Sequence, residues 1–229
     1  EKAAVQRGVS LDRLMENAGL AVARVALDRL AGVQRPQVLV LVGPGNNGSD
    51  GLVAARRLQA RGTSVTAYLC AARPGEDPKL ASAVAQGVTV ADFASDPELA
   101  GLEQALGQSS MVIDAILGIG RSRPITGQLA SLLRHVASAR RRNAGLTVLA
   151  LDIPTGLNAD TGEVDPVCVP ADLTVTLGLP KAGLFKFPGA DYVGRLRVVD
   201  IGVPPEAAEG VDAPELVSAD WVRGVVPTR

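Results

Sequence analysis

The chain is poor in the residues that most often announce a function. Its 229 residues include two cysteines, one histidine, and only three Phe, two Tyr and one Trp. Cys70 and Cys168 are too few for a disulfide framework, and they lack the C-x-x-C spacing or histidine partners of a zinc site. They read as reduced, structural thiols. His135 lies between Arg134 and Val136, on a helical stretch running into Arg140-Arg141-Arg142. A histidine-dependent triad would have to use it, but a solvated helix face is the better reading. Aromatics at 3% leave few rings on which bases could stack. Charge is nearly balanced, with 23 Lys and Arg against 24 Asp and Glu, so no global field favours nucleic acid or an anionic membrane. No apolar run reaches the length of a membrane span, and no basic-then-apolar signal opens the chain. A cytoplasmic location follows by default, with an N-terminus that has been trimmed because no Met begins it.

What the chain does have is apolar alternation. Hydrophobic residues make up 47%, enough for one α/β domain with a sizeable core. Strand-like runs occur at Val38–Val42, Ser64–Cys70, Val88–Phe93, Met111–Ala115, Leu146–Leu151, Leu173–Leu177 and Leu196–Val199, with helical patterns between most of them. Ser10 is placed to cap a first long helix ending near Leu30. Several of the strand runs are apolar on both faces, as strands between two helical layers must be. The expected fold is a three-layer α/β/α Rossmann-like, doubly wound sandwich with a mainly parallel sheet. It should occupy residues 1–203, leaving 204–229 as a Pro- and Ala-rich extension or linker. Arg73–Pro78 and Asn158–Pro170 read as surface loops.

Chemistry in such folds gathers where the carboxyl ends of the strands meet the loops. The first such junction is Gly43-Pro-Gly45-Asn46-Asn47-Gly48-Ser49-Asp50, a glycine-rich turn expected to feed a helix over Gly51–Arg61. Glycines there permit tight or positive-φ turns and close approach of a ligand, and the helix start attracts an anion. The turn satisfies G-x-G-x-x-G, yet no acid ends the second strand to hold a ribose, and no lysine occupies the Walker position. Asp114 and Asp152 each close an apolar strand, and Thr155 follows Asp152 by three residues. Buried acids need a donor, a cation or a proton. A hard mono- or divalent cation held by oxygens of Asn47, Asp114 and Thr155 would supply one. Thr176 and Lys181 could complete the crevice, although solvent exposure is the commoner fate of a lysine. Asp200, which closes the last strand, has a weaker claim.

Four segments, Leu14-Met-Glu-Asn-Ala-Gly19, Gly43-Pro-Gly-Asn-Asn-Gly-Ser-Asp50, Asp114-Ala-Ile-Leu-Gly-Ile-Gly120 and Asp152-Ile-Pro-Thr-Gly156, together resemble the YjeF-type N-terminal domain of NAD(P)H-hydrate (NAD(P)HX) epimerases. Ala171-Asp-Leu-Thr174 with Pro180-Lys181 is similar to a fifth block of that family. The resemblance implies epimerisation of hydrated NADH and NADPH. It assigns substrate binding to Asn46, Asn47, Gly48, Ser49 and Asp50, and to Gly118, Ile119, Gly120, Arg121, Ser122, Arg123 and Pro124. Asp152 contacts the substrate and is the best-placed general acid/base, and a potassium ion is held by Asn47, Asp114 and Thr155. It also implies a homodimer, and a tail that in fused homologues passes into an ADP- or ATP-dependent dehydratase domain. The family more often has Gly at Ser49, Ser at Thr155 and Thr at Ile119. Arg73 is placed to reach a 2′-phosphate. Two other readings stand beside this one. A nicotinamide-dependent dehydrogenase rests on the glycine turn alone, since neither Tyr68 nor Tyr192 has a Lys four residues later. A non-catalytic nucleotide-binding or protein-interaction module would not need Asp114 and Asp152.

Overall fold

The computed structural model describes residues 2–73, 75–120, 124–204 and 206. The Trp221 region and nearly all of the 204–229 extension lie outside the described residues, as do Arg121, Ser122 and Arg123.

In chain order the main elements are α1 (Lys2–Gln6), α2 (Leu11–Arg29), β1 (Gln37–Val42), α3 (Asn46–Gln59), β2 (Ser64–Leu69), α4 (Pro78–Ala85), β3 (Thr89–Asp92), α5 (Ala100–Gln108), β4 (Met111–Ala115), α6 (Gly127–Arg142), β5 (Thr147–Leu151), β6 (Leu173–Leu177) and β7 (Arg195–Val199). Among the described residues the strands form one sheet in the order β3-β2-β1-β4-β5-β6-β7. Every neighbouring pair is parallel. This is the doubly wound sandwich expected from the alternation, with boundaries moved by one or two residues at several strands.

Side-chain alternation explains why both faces are covered. Val38, Val40 and Val42 of β1 point into a core shared with Leu14 and Val22 of α2, Leu52 and Leu58 of α3 and Ala83 of α4. Leu39 and Leu41 point into a second core with Leu102 and Leu106 of α5 and Leu132, Leu133 and Val136 of α6. Each fully buried Leu or Val contributes about 1.5–3 kcal/mol, so the central strands are held from both sides. Ser10 does cap α2, its hydroxyl accepting from the Arg13 amide at 3.2 Å.

The sequence runs outward from β1 through β2 to β3, then returns to β4 on β1's other side. The switch of direction between β1 and β4 parts the loops that follow these two strands, and the crevice so opened is where ligands bind in this architecture. Two features of α2 stabilise that crevice. Glu16 takes hydrogen bonds from Arg56 at 2.6 Å, Arg57 at 2.7 Å and Lys79 at 2.9 Å, tying α2 to α3 and α4. The Asn17 amide donates to the Ile201 carbonyl at 2.8 Å, anchoring the segment that follows β7.

Candidate functional site

The helix after β1 starts five residues earlier than its periodicity suggests. α3 begins at Asn46, with Gly45 in an extended conformation before it and the Ser49 amide already bonded to the Gly45 carbonyl at 3.2 Å. Asn46 to Asp50 are therefore the first turn of a helix rather than a loop preceding one. Their leading amides are among those that no helical carbonyl satisfies, and they carry the positive end of the helix dipole.

None of Gly43, Gly45 and Gly48 is left-handed, and at Gly43 and Gly48 the need is for space. A Cβ on Gly43 would lie 1.8 Å from the Ile116 carbonyl oxygen, and one on Gly48 would lie 2.0 Å from the Gly43 carbonyl oxygen. The β1–α3 connection thus presses directly on the chain leaving β4 at Ile116 before the two loops part. Gly43→Ala is expected to destabilise the fold by about 1–3 kcal/mol, lowering the melting midpoint by about 2–12 °C in a thermal scan.

Above this junction opens a cavity of roughly 850 Å³. Its lining includes Gly45, Asn46, Asn47 and Asp50 from the start of α3, Leu117 to Gly120 after β4, Asp152 after β5, and Lys181 after β6. The opposite wall is apolar, built from Leu177, Leu179, Ile201 and Val203. Ile119 and Leu179 are 64% and 56% exposed, giving the mouth two apolar lips.

Asp152 sits where β5 ends and the chain turns left-handed, with φ 69. Asp tolerates this conformation better than most residues, and the Asp152 amide is tied to the Val175 carbonyl at 2.8 Å. Its Oδ1 accepts from the Leu177 amide at 3.1 Å, from the Thr176 hydroxyl at 3.3 Å, and from the Lys181 ammonium. All three donors use the same oxygen. Asp152 Oδ2 has no hydrogen-bond partner among the described residues, on a side chain that lines the cavity.

Lys181 is not the solvated lysine that residue statistics favour. Its side chain is 16% exposed, and it also donates to the Thr176 hydroxyl at 3.1 Å and the Leu177 carbonyl at 2.9 Å. Sequence reasoning had the residue in hand but no means of finding its partner. The apolar wall has no local signature, because Leu177 and Leu179 come from the end of β6 while Ile201 and Val203 follow β7.

Asp114 lies beneath the cavity floor. It accepts from the Thr155 hydroxyl at 2.6 Å, the Thr155 amide at 2.8 Å and the Ile116 amide at 3.3 Å. Thr155 is wholly buried, and its hydroxyl oxygen accepts in turn from the Leu117 amide at 3.1 Å. Burial pushes the Asp114 carboxyl above its ordinary range, against the opposing effect of these donors. Asp114 forms no ion pair among the described residues.

Of the other residues expected at the site, Gly48 and Ser49 sit behind the lining. The Ser49 hydroxyl accepts from Arg73 at 2.8 Å. Pro124 lines a neighbouring hollow with Ile125, Gly156 and Asp165, which shares Leu117 and Gly118 with the main cavity. Arg73 does not reach outward for a 2′-phosphate, because its guanidinium is bound to Asp77, Ser49 and the Gly43 carbonyl. Asp200 instead turns back on its own chain, accepting from the Gly202 amide at 2.7 Å. His135 contacts Glu103 at 2.6 Å on the outer side of α5 and α6, far from the chemistry. Cys70 and Cys168 are buried and unpaired with one another.

A parallel, doubly wound sheet with a helix N-terminus, a strand-end carboxylate and a lysine around one cleft defines an α/β protein with a cavity of ligand size at its switch point. Comparison with known proteins narrows this class. A model of the YjeF-related protein N-terminus matches residues 11–183. The chain belongs to that family.

Among named relatives, the NAD(P)H-hydrate epimerase of Levilactobacillus brevis is 35% identical over 86% of this chain and 86% of its own length. That of Clavibacter michiganensis is 41% identical, covering 81% and 84%. The bifunctional NAD(P)H-hydrate repair enzyme of Thermofilum pendens is 40% identical over 89% of this chain, which spans only 38% of that enzyme. The crystal structure of the yeast protein YNL200c superposes with a TM-score of 0.72 at 24% identity, covering 94% of this chain and 90% of the yeast chain, and so shares the fold.

Proposed function

We propose that this chain interconverts the R and S forms of hydrated NADH and NADPH in nicotinamide nucleotide repair. The observation that carries the reading is Asp152, one oxygen of which is pinned by three donors while the other is left to the cavity. Membership of the family and the printed names of its epimerases support it.

The start of α3 receives the pyrophosphate, whose charge the helix amides and dipole favour. The apolar wall opposite takes the flat faces of the ligand. Inverting the hydroxyl-bearing carbon requires breaking a bond to it. As a carboxylate, Asp152 takes the proton of that hydroxyl through Oδ2 while the bond from carbon to the ring nitrogen opens. The electron pair stays on nitrogen, conjugated with the carboxamide, and the carbon becomes an aldehyde. Rotation and readdition of nitrogen to the other face return the proton to the new hydroxyl. In the other available route Asp152 in its acid form protonates the departing hydroxyl, the resulting iminium ring turns over, and water adds to its other face as the Asp152 carboxylate takes the proton back. Lys181 steadies the charge on Asp152 in either sequence. Incubating purified R-epimer with the protein and following the epimer ratio by chromatography tests the function. A ratio that changes no faster than in buffer refutes it, and steady NADH consumption with an added carbonyl substrate would point to a dehydrogenase instead.

A potassium ion at Asn47, Asp114 and Thr155 belongs to the same proposal. The donor set is amide, carboxylate and hydroxyl oxygen, which suits a hard cation. Asn47 Nδ2 is buried with no partner among the described residues, and turning the amide over would bring the Asn47 carbonyl inward. The desolvated Asp114 supplies charge without an ion-pair partner. The ion would offset repulsion between Asp114 and the ligand phosphates, a positioning role.

The linkage has a definite sign. Because the folded chain holds the Asp114 proton more tightly than the unfolded chain, stability without a cation falls as pH rises from the ordinary carboxylate value through the raised one. Replacing tetramethylammonium chloride with KCl is therefore expected to raise the melting temperature at pH 7.5, with the gain shrinking as pH approaches about 4, where an ordinary carboxylate takes up its proton. An equal gain at both pH values would remove Asp114 from the cation site.

The homodimer, and a parent polypeptide that continues into an ADP- or ATP-dependent dehydratase domain, complete the reading. The chain spans 38%, 39% and 41% of three bifunctional relatives, which supports a second domain in those proteins. Light scattering tests the dimer, and the full reading frame tests the fusion. No helix among the described residues is long and apolar enough to cross a membrane.

A further inference from the structure

The β2–α4 connection lies outside the catalytic crevice, yet it grips the helix start that forms the crevice. Arg73, only 8% exposed, spends its whole guanidinium on three acceptors from three places in the chain. Nε donates to Asp77, Nη1 to the Gly43 carbonyl, and Nη2 to the Ser49 hydroxyl at 2.8 Å.

Asp77 is itself fixed. Its other oxygen caps α4, accepting from the Lys79 amide at 2.9 Å and the Leu80 amide at 3.1 Å. One line of hydrogen bonds therefore runs from the α4 N-terminus through Asp77 and Arg73 to both sides of the β1–α3 junction. The guanidinium also takes the room beside Gly48 that a side chain there would need, since a Cβ on Gly48 would lie 2.7 Å from Nη1.

We propose that Arg73 is a positioning residue for nucleotide binding: it fixes the Gly43 carbonyl and Ser49 so that the start of α3 stays aimed at the ligand pyrophosphate. Ser49 is the second half of this device. The Ser49 hydroxyl gives Arg73 an acceptor that a glycine at this position would lack. Lysine cannot replace the arginine in full, because one ammonium does not present a planar fork to three acceptors set apart from one another. The inference concerns the anion end of the site assigned above and rests on that assignment for its substrate.

The test separates the two. ADP serves as a probe of the pyrophosphate end in calorimetric titration, independent of any turnover, and epimer exchange gives kcat and KM. Arg73→Gln is expected to weaken ADP binding and raise KM about tenfold each, with kcat within about twofold of the parent. Arg73→Lys is expected to recover part of the loss, and Ser49→Gly to raise KM only about two- to threefold, having removed one neutral acceptor. Should Arg73→Gln not fold, Asp77→Asn loosens the same arginine from the other side and is expected to raise the ADP Kd in the same direction. A lower melting temperature with unchanged ADP affinity and KM would make Arg73 purely structural and overturn the proposal. Loss of ADP affinity in a protein that never exchanges epimers would sustain Arg73's role while refuting the assigned reaction.

Discussion

Asp152→Asn is expected to remove epimer exchange, lowering kcat by about 10²- to 10⁴-fold, the range typical of a lost general acid/base. Nucleotide affinity should stay within a few-fold. The substitution is informative because so little else changes. Asn tolerates the left-handed backbone that Asp152 adopts at φ 69, and its carbonyl oxygen can still accept from the Leu177 amide and the Lys181 ammonium. What it cannot do is take and return a proton at the atom left free for substrate. Full activity in this variant would remove Asp152 from the mechanism. A melting temperature close to that of the parent, recorded alongside, ensures that lost turnover reflects chemistry rather than folding.

Lys181→Met should be nearly as damaging, by a different route. With the ammonium gone, the carboxylate of Asp152 would remain at the edge of the core with only the Thr176 hydroxyl and the Leu177 amide to hold it. Removing one partner of a largely buried pair costs about 3 kcal/mol or more. The melting temperature should therefore fall by about 6–12 °C, and with Asp152 no longer held in place kcat/KM should drop about 10²-fold. Parent-like kcat/KM in the folded variant would mean that Lys181 does not position Asp152 for the reaction.

The chain's own pattern made the sheet legible for a physical reason. Strands buried on both faces must be largely apolar, so Val38–Val42 and Leu146–Leu151 stand out against the helical periodicity around them. Asp114 and Asp152 were visible by the same contrast, since a carboxylate at the end of an apolar run is costly and draws notice. The start of α3 was not visible. Asn, Asn, Gly, Ser and Asp favour caps and turns locally, yet in the folded chain they form the first turn of α3, beside a junction packed against Ile116.

From the one-dimensional order of residues follow the layered architecture and the two strand-end acids, because each is encoded in spacing over a few residues, and the family, through the motifs that resemble it. Three decisions belonged to the tertiary structure alone: that Lys181 turns inward to Asp152, that Arg73 latches the glycine junction instead of facing a ligand, and that Leu177, Leu179, Ile201 and Val203 assemble one apolar wall. All three depend on which loops the strand order brings together, and no local spacing records a contact between residues that meet only once the sheet has formed.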